Sequence, residues 1–226
     1  MMHALRTRVI AAGCLLILFD GTAVAQLASR PVEEWVKVLD SPERLADLKV
    51  EKVVAALNLR PGEVVADLGA GSGPFIPALA KAVAPQGRVY AVEIDKAFFP
   101  HIEARAKAAG GSNLRVVLGE FTDPKLPSDD LDVAFLHDVL HHIADRPAYL
   151  ANLVKYLKPR ARIAIVDYNP PNSPHNADAS LQVSKQQAAA WLAPLGFTQA
   201  TEVSLAPEKW FVIFGRQPAP AAKLTR

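Results

Sequence analysis

The sequence predicts an α/β fold with a doubly wound, mostly parallel sheet of seven strands. Short apolar runs alternate with helical patterns of ten to fifteen residues between residues 61 and 196, as in right-handed β–α–β units. The last two apolar runs follow each other without a helix, so we expect a C-terminal antiparallel hairpin. Of the 226 residues, 50% are hydrophobic, which is enough for the core of one domain.

Helical periodicity comes first along the chain. The stretch PVEEWVKVLD has apolar residues at helical spacing, and Ser41 and Pro42 then predict a capped second helix. Beyond residues 1–25, we expect an N-terminal helical segment at 26–60, the sheet domain at 61–216 and a flexible tail at 217–226.

Strands and helices then alternate in a fixed order. The predicted strands are EVVADL, RVYAVEI, LRVVLG, LDVAFL, RIAIVDY, TQATEVSL and KWFVIFGR. The helices between them are FIPALAKAVA, KAFFPHIEARAKAAGG, DRPAYLANLVKYLKP and SKQQAAAWLAPLG. Gly110 and Gly111 end the second of these helices, while Asp145 and Ser184 are N-cap residues for the last two.

A glycine-rich turn, VVADLGAGSGPF, follows the first strand. In a doubly wound sheet, ligands bind at the carboxyl ends of the strands, where this turn lies. A dinucleotide fingerprint would read G-x-G-x-x-G, but Pro74 occupies the place of its last glycine. Asp67 would also repel a pyrophosphate, whereas it favours an ammonium or sulfonium group. The turn therefore predicts a zwitterionic amino-acid moiety beside a sulfonium centre.

With the pattern D-x-G-x-G-x-G in place, the chain resembles the class I S-adenosylmethionine-dependent methyltransferases from Leu48 to Gly215. The stations AVEID, VVLGEF, LDVAFLHDVLHHI and LKPRARIAIVDY follow in the family's order. The resemblance implies a Rossmann-like fold and S-adenosyl-L-methionine as the cofactor. It implies that Glu93 accepts hydrogen bonds from the ribose, that Glu120 meets the adenine amino group and that Phe121 covers the ring. The implied cofactor-binding residues are Asp67, Gly69, Ala70, Gly71, Gly73, Glu93, Ile94, Glu120, Phe121 and His137.

The histidines after the fourth strand are the candidate catalytic residues. If Asp138 to His142 begin a helix, these two residues share one face. His141 or His142 is then a candidate general base for the acceptor, oriented by Asp138. A structural or ring-stacking pair is the alternative. A His/His/Asp metal site lacks a third ligand of recognisable spacing, so no metal is predicted. His175 lies in a proline-rich loop that either covers the acceptor or is an idle surface loop.

The predicted function is methyl transfer to a small-molecule acceptor by in-line displacement. The alternative from another class is an exported binding protein that keeps the cofactor fold without catalysis. A nicotinamide-dependent oxidoreductase is disfavoured by Asp67 and Pro74. The formal net charge of +2, with no block of Lys and Arg, gives no indication of nucleic-acid binding. The sequence does not predict the oligomeric state.

The first residues predict export. MMHALRTR is basic, VIAAGCLLILF is an apolar run of eleven residues, and AVA precedes Gln26. This is the pattern of a signal peptide at residues 1–25, cleaved after Ala25, and eleven residues rise only about 16 Å as a helix. The mature protein would then be periplasmic or secreted, with no cysteine and no stable membrane insertion. A misassigned start would instead leave it in the cytoplasm.

Overall fold

The computed structural model describes residues 31–216, and these form a seven-stranded sheet with helices on both faces. The strand order is β3-β2-β1-β4-β5-β7-β6. The strands are β1 Val64–Leu68, β2 Arg88–Glu93, β3 Leu114–Leu118, β4 Leu131–His137, β5 Leu157–Tyr168, β6 Phe197–Glu202 and β7 Lys209–Arg216. Strands β1 to β5 are parallel, and β7 is antiparallel to both of its neighbours. The predicted fold class and the C-terminal hairpin are confirmed.

The helices that connect the strands follow the predicted order. They are α4 Ile76–Val83, α5 Phe99–Ala108, α6 Arg146–Leu153 and α7 Lys185–Leu192. Asp145 caps α6 by accepting a 3.0 Å hydrogen bond from the Ala148 N–H. Ser184 and Gln187 form a reciprocal capping box at the start of α7. Both predicted N-caps are therefore confirmed.

The described part of the N-terminal segment, residues 31–60, contains three helices where two were expected: α1 Val32–Leu39, α2 Pro42–Asp47 and α3 Val50–Ala56. Ser41 caps α2 as predicted and accepts a hydrogen bond from the Arg44 N–H. The expected second helix is interrupted at Lys49, whose φ of 49° is left-handed. A left-handed residue cannot continue a right-handed helix. The Lys49 ammonium instead donates to the Leu205 carbonyl at 3.2 Å, which ties this break to the chain before β7.

Two apolar cores cover the two faces of the sheet. Side chains of α3, α4 and α5 pack on one face, and those of α6 and α7 pack on the other. The strand pleat directs Val64, Ala66 and Leu68 to the second core and Val65 to the first. By the same alternation, Asp67 lies on the face covered by α4. Each fully buried leucine or isoleucine in these cores contributes about 1.5–3 kcal/mol relative to an exposed position.

The order of the strands places the candidate site. Strands β1 and β4 are neighbours, and the chain leaves β1 toward β2 on one side and β4 toward β5 on the other. Such a switch point opens a crevice at the carboxyl ends of the strands. The glycine turn follows β1, the histidine segment follows β4, and both therefore lie at this crevice.

The predicted signal peptide at 1–25 and the predicted tail at 217–226 lie outside the described residues. Within residues 31–216, no helix combines the length and the apolar character needed to cross a membrane.

Candidate active site

A cavity of about 260 Å³ lies at the switch point, and most of the predicted site residues line it. The predicted residues at its wall are Asp67, Gly69, Ala70, Gly71, Glu93, Ile94, Glu120, Phe121, His137, Asp138 and His142. Gly73 and His141 lie behind this wall. The elements that meet here are the turns after β1, β2, β3 and β4, with the N-terminal helices facing them.

The glycine turn requires glycine for two different reasons. Gly69 has a φ of +75°, and a Cβ there would lie 2.4 Å from Cγ2 of Val139 in the turn after β4. Gly71 has a φ of +54° and borders Leu39 of α1. Both positions therefore combine left-handed backbone with close approach of a neighbour. The result is a wall of bare backbone at the cavity.

Gly73, a predicted cofactor-binding residue, is not among the residues that line the cavity. Its φ is +82°, and a Cβ there would lie 3.3 Å from the Ile102 Cα and from the Ile76 side chain. It lets the turn pack closely against α5 as α4 begins. Gly73 is therefore a packing residue behind the cofactor-side wall.

Glu93 ties the turn after β1 to the turn after β2. Its Oε2 accepts a 2.8 Å hydrogen bond from the Gly71 N–H, and its Oε1 accepts from the Ile94 and Asp95 N–H groups at 2.8 and 3.3 Å. The side chain is buried, and burial raises its pKa against the opposing effect of these backbone donors. Glu93 thus fixes the shape of the turn and also presents a carboxylate at the cavity wall.

Asp67 is buried at the end of β1, with only 3% of its surface exposed. Among the described residues, no hydrogen-bond donor reaches its Oδ2 atom. Burial, followed by the nearby charge of Glu93, raises the pKa of Asp67 from 3.8 to about 7. A buried carboxylate without a partner is unfavourable. A cationic group in the cavity would remove this penalty, so the Asp67 carboxylate fits the ammonium and sulfonium of S-adenosylmethionine.

The predicted adenine side of the cavity is open to solvent. Phe121 has 46% of its surface exposed. Glu120 is also exposed, and its carboxylate lies 3.3 Å from the Lys125 ammonium. An isolated antiparallel β-bridge between the backbones of Glu120 and Asp123 shapes this turn after β3. Both side chains line the cavity as predicted, but neither is held as firmly as Glu93.

His137, the last residue of β4, is packed between aromatic rings. Its ring centroid lies 4.8 Å from that of Phe75 and 6.1 Å from that of Phe135. Burial lowers the pKa of His137 to about 4, so the imidazole is neutral at pH 7. Its Nε2 atom is buried, and no partner for it lies within residues 31–216.

Asp138 does not orient His142 as the helical hypothesis required. The described backbone has a left-handed residue at Asp138, with a φ of 54°, and only a short 3-10 helix at Leu140–His142. The Asp138 carboxylate instead accepts hydrogen bonds from the Lys209 ammonium at 2.7 and 2.9 Å. Arg44 of α2 approaches it at 3.5 Å. Burial opposes the charge, but His137, Lys209 and Arg44 outweigh it and lower the pKa of Asp138.

A different carboxylate holds the histidines. Asp167, near the end of β5, accepts a 2.6 Å hydrogen bond from Nδ1 of His141. The ring centroid of His141 lies 4.0 Å from that of His142 and 5.4 Å from that of His175. His142 and His175 line the cavity, and His141 lies buried behind them. Asp167 was not among the predicted site residues, although its place at the end of a central parallel strand is a signal for a site residue.

The N-terminal helices close the cavity on the side of the glycine turn. Asp40, which follows α1, accepts a 2.5 Å hydrogen bond from the Ser72 hydroxyl and pairs with Arg105 of α5 at 2.6 Å. Arg105 also donates to the Ser72 carbonyl at 2.9 Å. Helices α1 and α2 and the residue after α2 contribute further lining residues, namely Trp35, Leu39, Arg44 and Leu48. The lining is therefore mostly apolar, and its charged side chains are Arg44, Asp67, Glu93, Glu120 and Asp138.

Comparison with known proteins places this arrangement in a family. Residues 59–204 match the family model described as "Methyltransferase domain". The chain is 35% identical over 116 residues to the 2-phytyl-1,4-naphtoquinone methyltransferase of Synechococcus elongatus, covering 51% of this chain and 50% of that protein. This chain spans about half the length of the first curated relatives it matches.

Solved structures agree in fold. A SAM-dependent methyltransferase from Aquifex aeolicus superposes with a TM-score of 0.73 at 24% identity, covering 83% of this chain and all (100%) of that one. The 1,6-didemethyltoxoflavin-N1-methyltransferase of Burkholderia thailandensis, solved with its substrate and S-adenosylhomocysteine, gives a TM-score of 0.66 at 20% identity and 94% coverage of both chains. The chain therefore belongs to the methyltransferase-domain family, with the fold of the class I S-adenosylmethionine-dependent methyltransferases.

Proposed function

We propose that this protein transfers the methyl group of S-adenosylmethionine to a small-molecule acceptor. The observation that carries the proposal is the Asp67 carboxylate, which is buried at a glycine turn without a hydrogen-bond donor for Oδ2 among the described residues. A cationic ligand stabilises such a group, whereas a pyrophosphate would be repelled by it. The family match supports the same cofactor.

The cofactor is held from three strand ends. Asp67 after β1 faces the ammonium and sulfonium end, and the bare backbone at Gly69 and Gly71 admits the amino-acid moiety. Glu93 after β2 accepts hydrogen bonds from the ribose hydroxyls. Phe121 and Glu120 after β3 border the adenine. This order follows the edge of the sheet, so one extended ligand contacts all three turns.

The acceptor side is formed by β4, β5 and the N-terminal helices. Trp35, Leu39 and Leu48 give it apolar walls, and His142 and His175 give it neutral polar groups. Related enzymes are named for a naphthoquinone and for didemethyltoxoflavin, which are flat ring compounds. We propose an acceptor of this kind, small and ring-containing, with a nucleophilic atom directed at the histidines.

Methyl transfer from a sulfonium is an in-line displacement in which the sulfur leaves as a neutral thioether. The chain's own contribution is alignment, proximity and exclusion of water, which together lower the barrier without a covalent role for the protein. The helices over the glycine turn serve the exclusion of water. Asp67 stays charged beside the ligand's ammonium and fixes its orientation.

The histidines are the proposed groups at the acceptor, but His142 is a weak general base. Burial and the neighbouring His141 and His175 lower the pKa of His142 to about 3. An imidazole of such low basicity removes a proton slowly at neutral pH. The Asp167 carboxylate acts on His141 rather than on His142. His142 alone is therefore not assigned as the general base, and we propose that His142 and His175 face the acceptor together, with His141 behind them.

The first prediction concerns proton release on binding. Because the pKa of Asp67 is raised to about 7 in the unliganded protein, the carboxyl holds a proton below that pH. An ammonium ligand favours the carboxylate, so its observed affinity should fall as the pH drops below 7, by up to about tenfold per unit. Calorimetry with S-adenosylhomocysteine from about pH 5.5 to 7.5 measures this slope.

The matched control ligand is 5′-methylthioadenosine, which has the adenosine and thioether but no ammonium. Its affinity should change little over the same range, and Asp67→Asn should flatten the profile of S-adenosylhomocysteine. Equal slopes for both ligands, or an unchanged slope in Asp67→Asn, would assign the titration to another group and remove the cation from Asp67.

The second prediction compares the two glutamates. Hydrogen bonds to a charged carboxylate are worth about 1.5–3 kcal/mol, so Glu93→Gln should weaken S-adenosylhomocysteine binding by about 10- to 150-fold. Glu120→Gln should weaken it less than about threefold, since an exposed and ion-paired carboxylate contributes little. Thermal unfolding of both variants checks that the turn remains folded. Equal losses in the two variants would place the adenosine elsewhere.

The third prediction addresses catalysis directly. The protein is incubated with S-adenosylmethionine labelled in its methyl group and a panel of hydroxylated ring compounds, including reduced naphthoquinones. The label should appear in a small-molecule product, and Asp67→Ala should lower the yield. Tight binding of S-adenosylhomocysteine without transfer to any compound would favour the binding-protein alternative.

A further inference from the structure

We propose that His141, His142 and His175 form a binding site for a divalent transition-metal ion of the Zn²⁺ class at the acceptor side of the cavity. One nitrogen of each ring lies within 4.8 Å of the nitrogens of the other two. Two of the residues come from the 3-10 helix after β4 and the third from the loop after β5. The fold thus brings together ligands that lie 33 positions apart in the sequence, from 142 to 175.

The distances suit a tetrahedral site after a small adjustment. Zn–N bonds of about 2.0–2.1 Å place two ligand nitrogens about 3.3 Å apart. The histidine nitrogens lie at most 4.8 Å apart, so reaching this spacing requires a movement of at most about 1.5 Å. His175 lies in the loop between β5 and α7, which can supply this movement by a change in its side-chain torsions. Three imidazoles without a thiolate favour Zn²⁺, Co²⁺, Ni²⁺ or Cu²⁺ over Mg²⁺ or Ca²⁺.

Asp167 provides the supporting carboxylate that metal-binding histidines use. A carboxylate only accepts hydrogen bonds, so Nδ1 of His141 is the donor in this pair and Nε2 is the ring nitrogen that remains for a metal. The Asp167 carboxylate is itself fixed, because it accepts from the backbone N–H groups of His141 at 3.1 Å and Tyr168 at 2.8 Å. Such a partner orients the ring and strengthens it as a ligand.

Arg146 holds the two segments of the site together. Its guanidinium donates to the carbonyls of Leu140 at 3.1 Å, His141 at 2.6 Å and Ser180 at 2.6 Å. One side chain therefore links the 3-10 helix to the loop that carries His175. The hydrogen bonds of the arginine go to backbone oxygens and not to the imidazole nitrogens.

The position of the site suggests its use. His142 and His175 line the cavity, so a metal on the three nitrogens is reached from the space in which the acceptor lies. A three-ligand site leaves one position for an outside oxygen. Zn²⁺ lowers the pKa of a hydroxyl that binds to it, so it would favour the deprotonated, more nucleophilic form of an acceptor oxygen. This use, with a hydroxylated acceptor, rests on the proposed function; the metal site itself does not.

The test uses the untagged full chain, stripped with a chelator and titrated with Co²⁺, followed by competition with Zn²⁺. We expect one ion per chain and the visible absorption of four-coordinate cobalt. His142→Ala and His175→Ala should each weaken the affinity by at least tenfold, and Asp167→Asn by about 10- to 100-fold. The matched control is His101→Ala, because His101 on α5 pairs with Glu33 at 3.4 Å, away from the cluster.

Binding of S-adenosylhomocysteine by each variant verifies that it is folded. Absence of cobalt binding, or equal affinity in the His175, His142 and His101 variants, would overturn the proposal. Metal binding that depends on His142 and His175 supports it even if no acceptor is methylated. Failure of the metal site therefore remains distinguishable from failure of the proposed function.

Discussion

The buried carboxylates of Asp67 and Glu93 are the constraint on which the rest of the site depends. They lie at the ends of two adjacent parallel strands, and burial raises the pKa of both carboxyl groups. Glu93 is stabilised by the backbone N–H groups of both turns, and this bonding shapes the glycine loop. Asp67 has no such partner at Oδ2 among the described residues. Its folded pKa lies above its unfolded value, so its contribution to stability is present below pH 3.8 and is lost as the pH rises toward about 7. A bound cation offsets that loss.

Different kinds of side chain lie at the carboxyl ends of the two halves of the sheet. Strands β1, β2 and β3 end at carboxylates and bare backbone, which suit the proposed cofactor, while β4 and β5 end at histidines and Asp167. The N-terminal helices connect the two halves, because Asp40 anchors them to Ser72 and Arg44 reaches Asp138. The cavity is thus enclosed by segments distant in sequence. Placing a cationic donor and a histidine cluster on opposite sides of one apolar space favours transfer between two bound molecules.

The sequence predicted what is local, and it failed where distant segments meet. The strands, the caps at Asp145 and Ser184 and the glycine turn all depend on short-range periodicity and backbone chemistry, and the structure confirms them. The left-handed break at Lys49 is accompanied by a hydrogen bond to the Leu205 carbonyl, 156 positions away, which no local pattern contains. The ion pair of Asp138 and Lys209 likewise joins residues 71 positions apart, beyond the reach of any local pattern. His175 joins His141 only because the loop after β5 folds back over β4, so the sequence offered no spacing from which the cluster could be predicted.

The selectivity of the unliganded protein between adenosyl ligands and a dinucleotide decides whether this crevice binds a cationic adenosyl ligand. Thermal unfolding is followed with S-adenosylmethionine, S-adenosylhomocysteine and NADH, each at about 100 times the dissociation constant measured for S-adenosylhomocysteine. We expect both adenosyl ligands to stabilise the fold, S-adenosylhomocysteine by about 2.7 kcal/mol, and NADH to have no effect. Stabilisation by NADH alone would rule out the adenosyl ligand in this crevice, since a pyrophosphate would then lie beside Asp67.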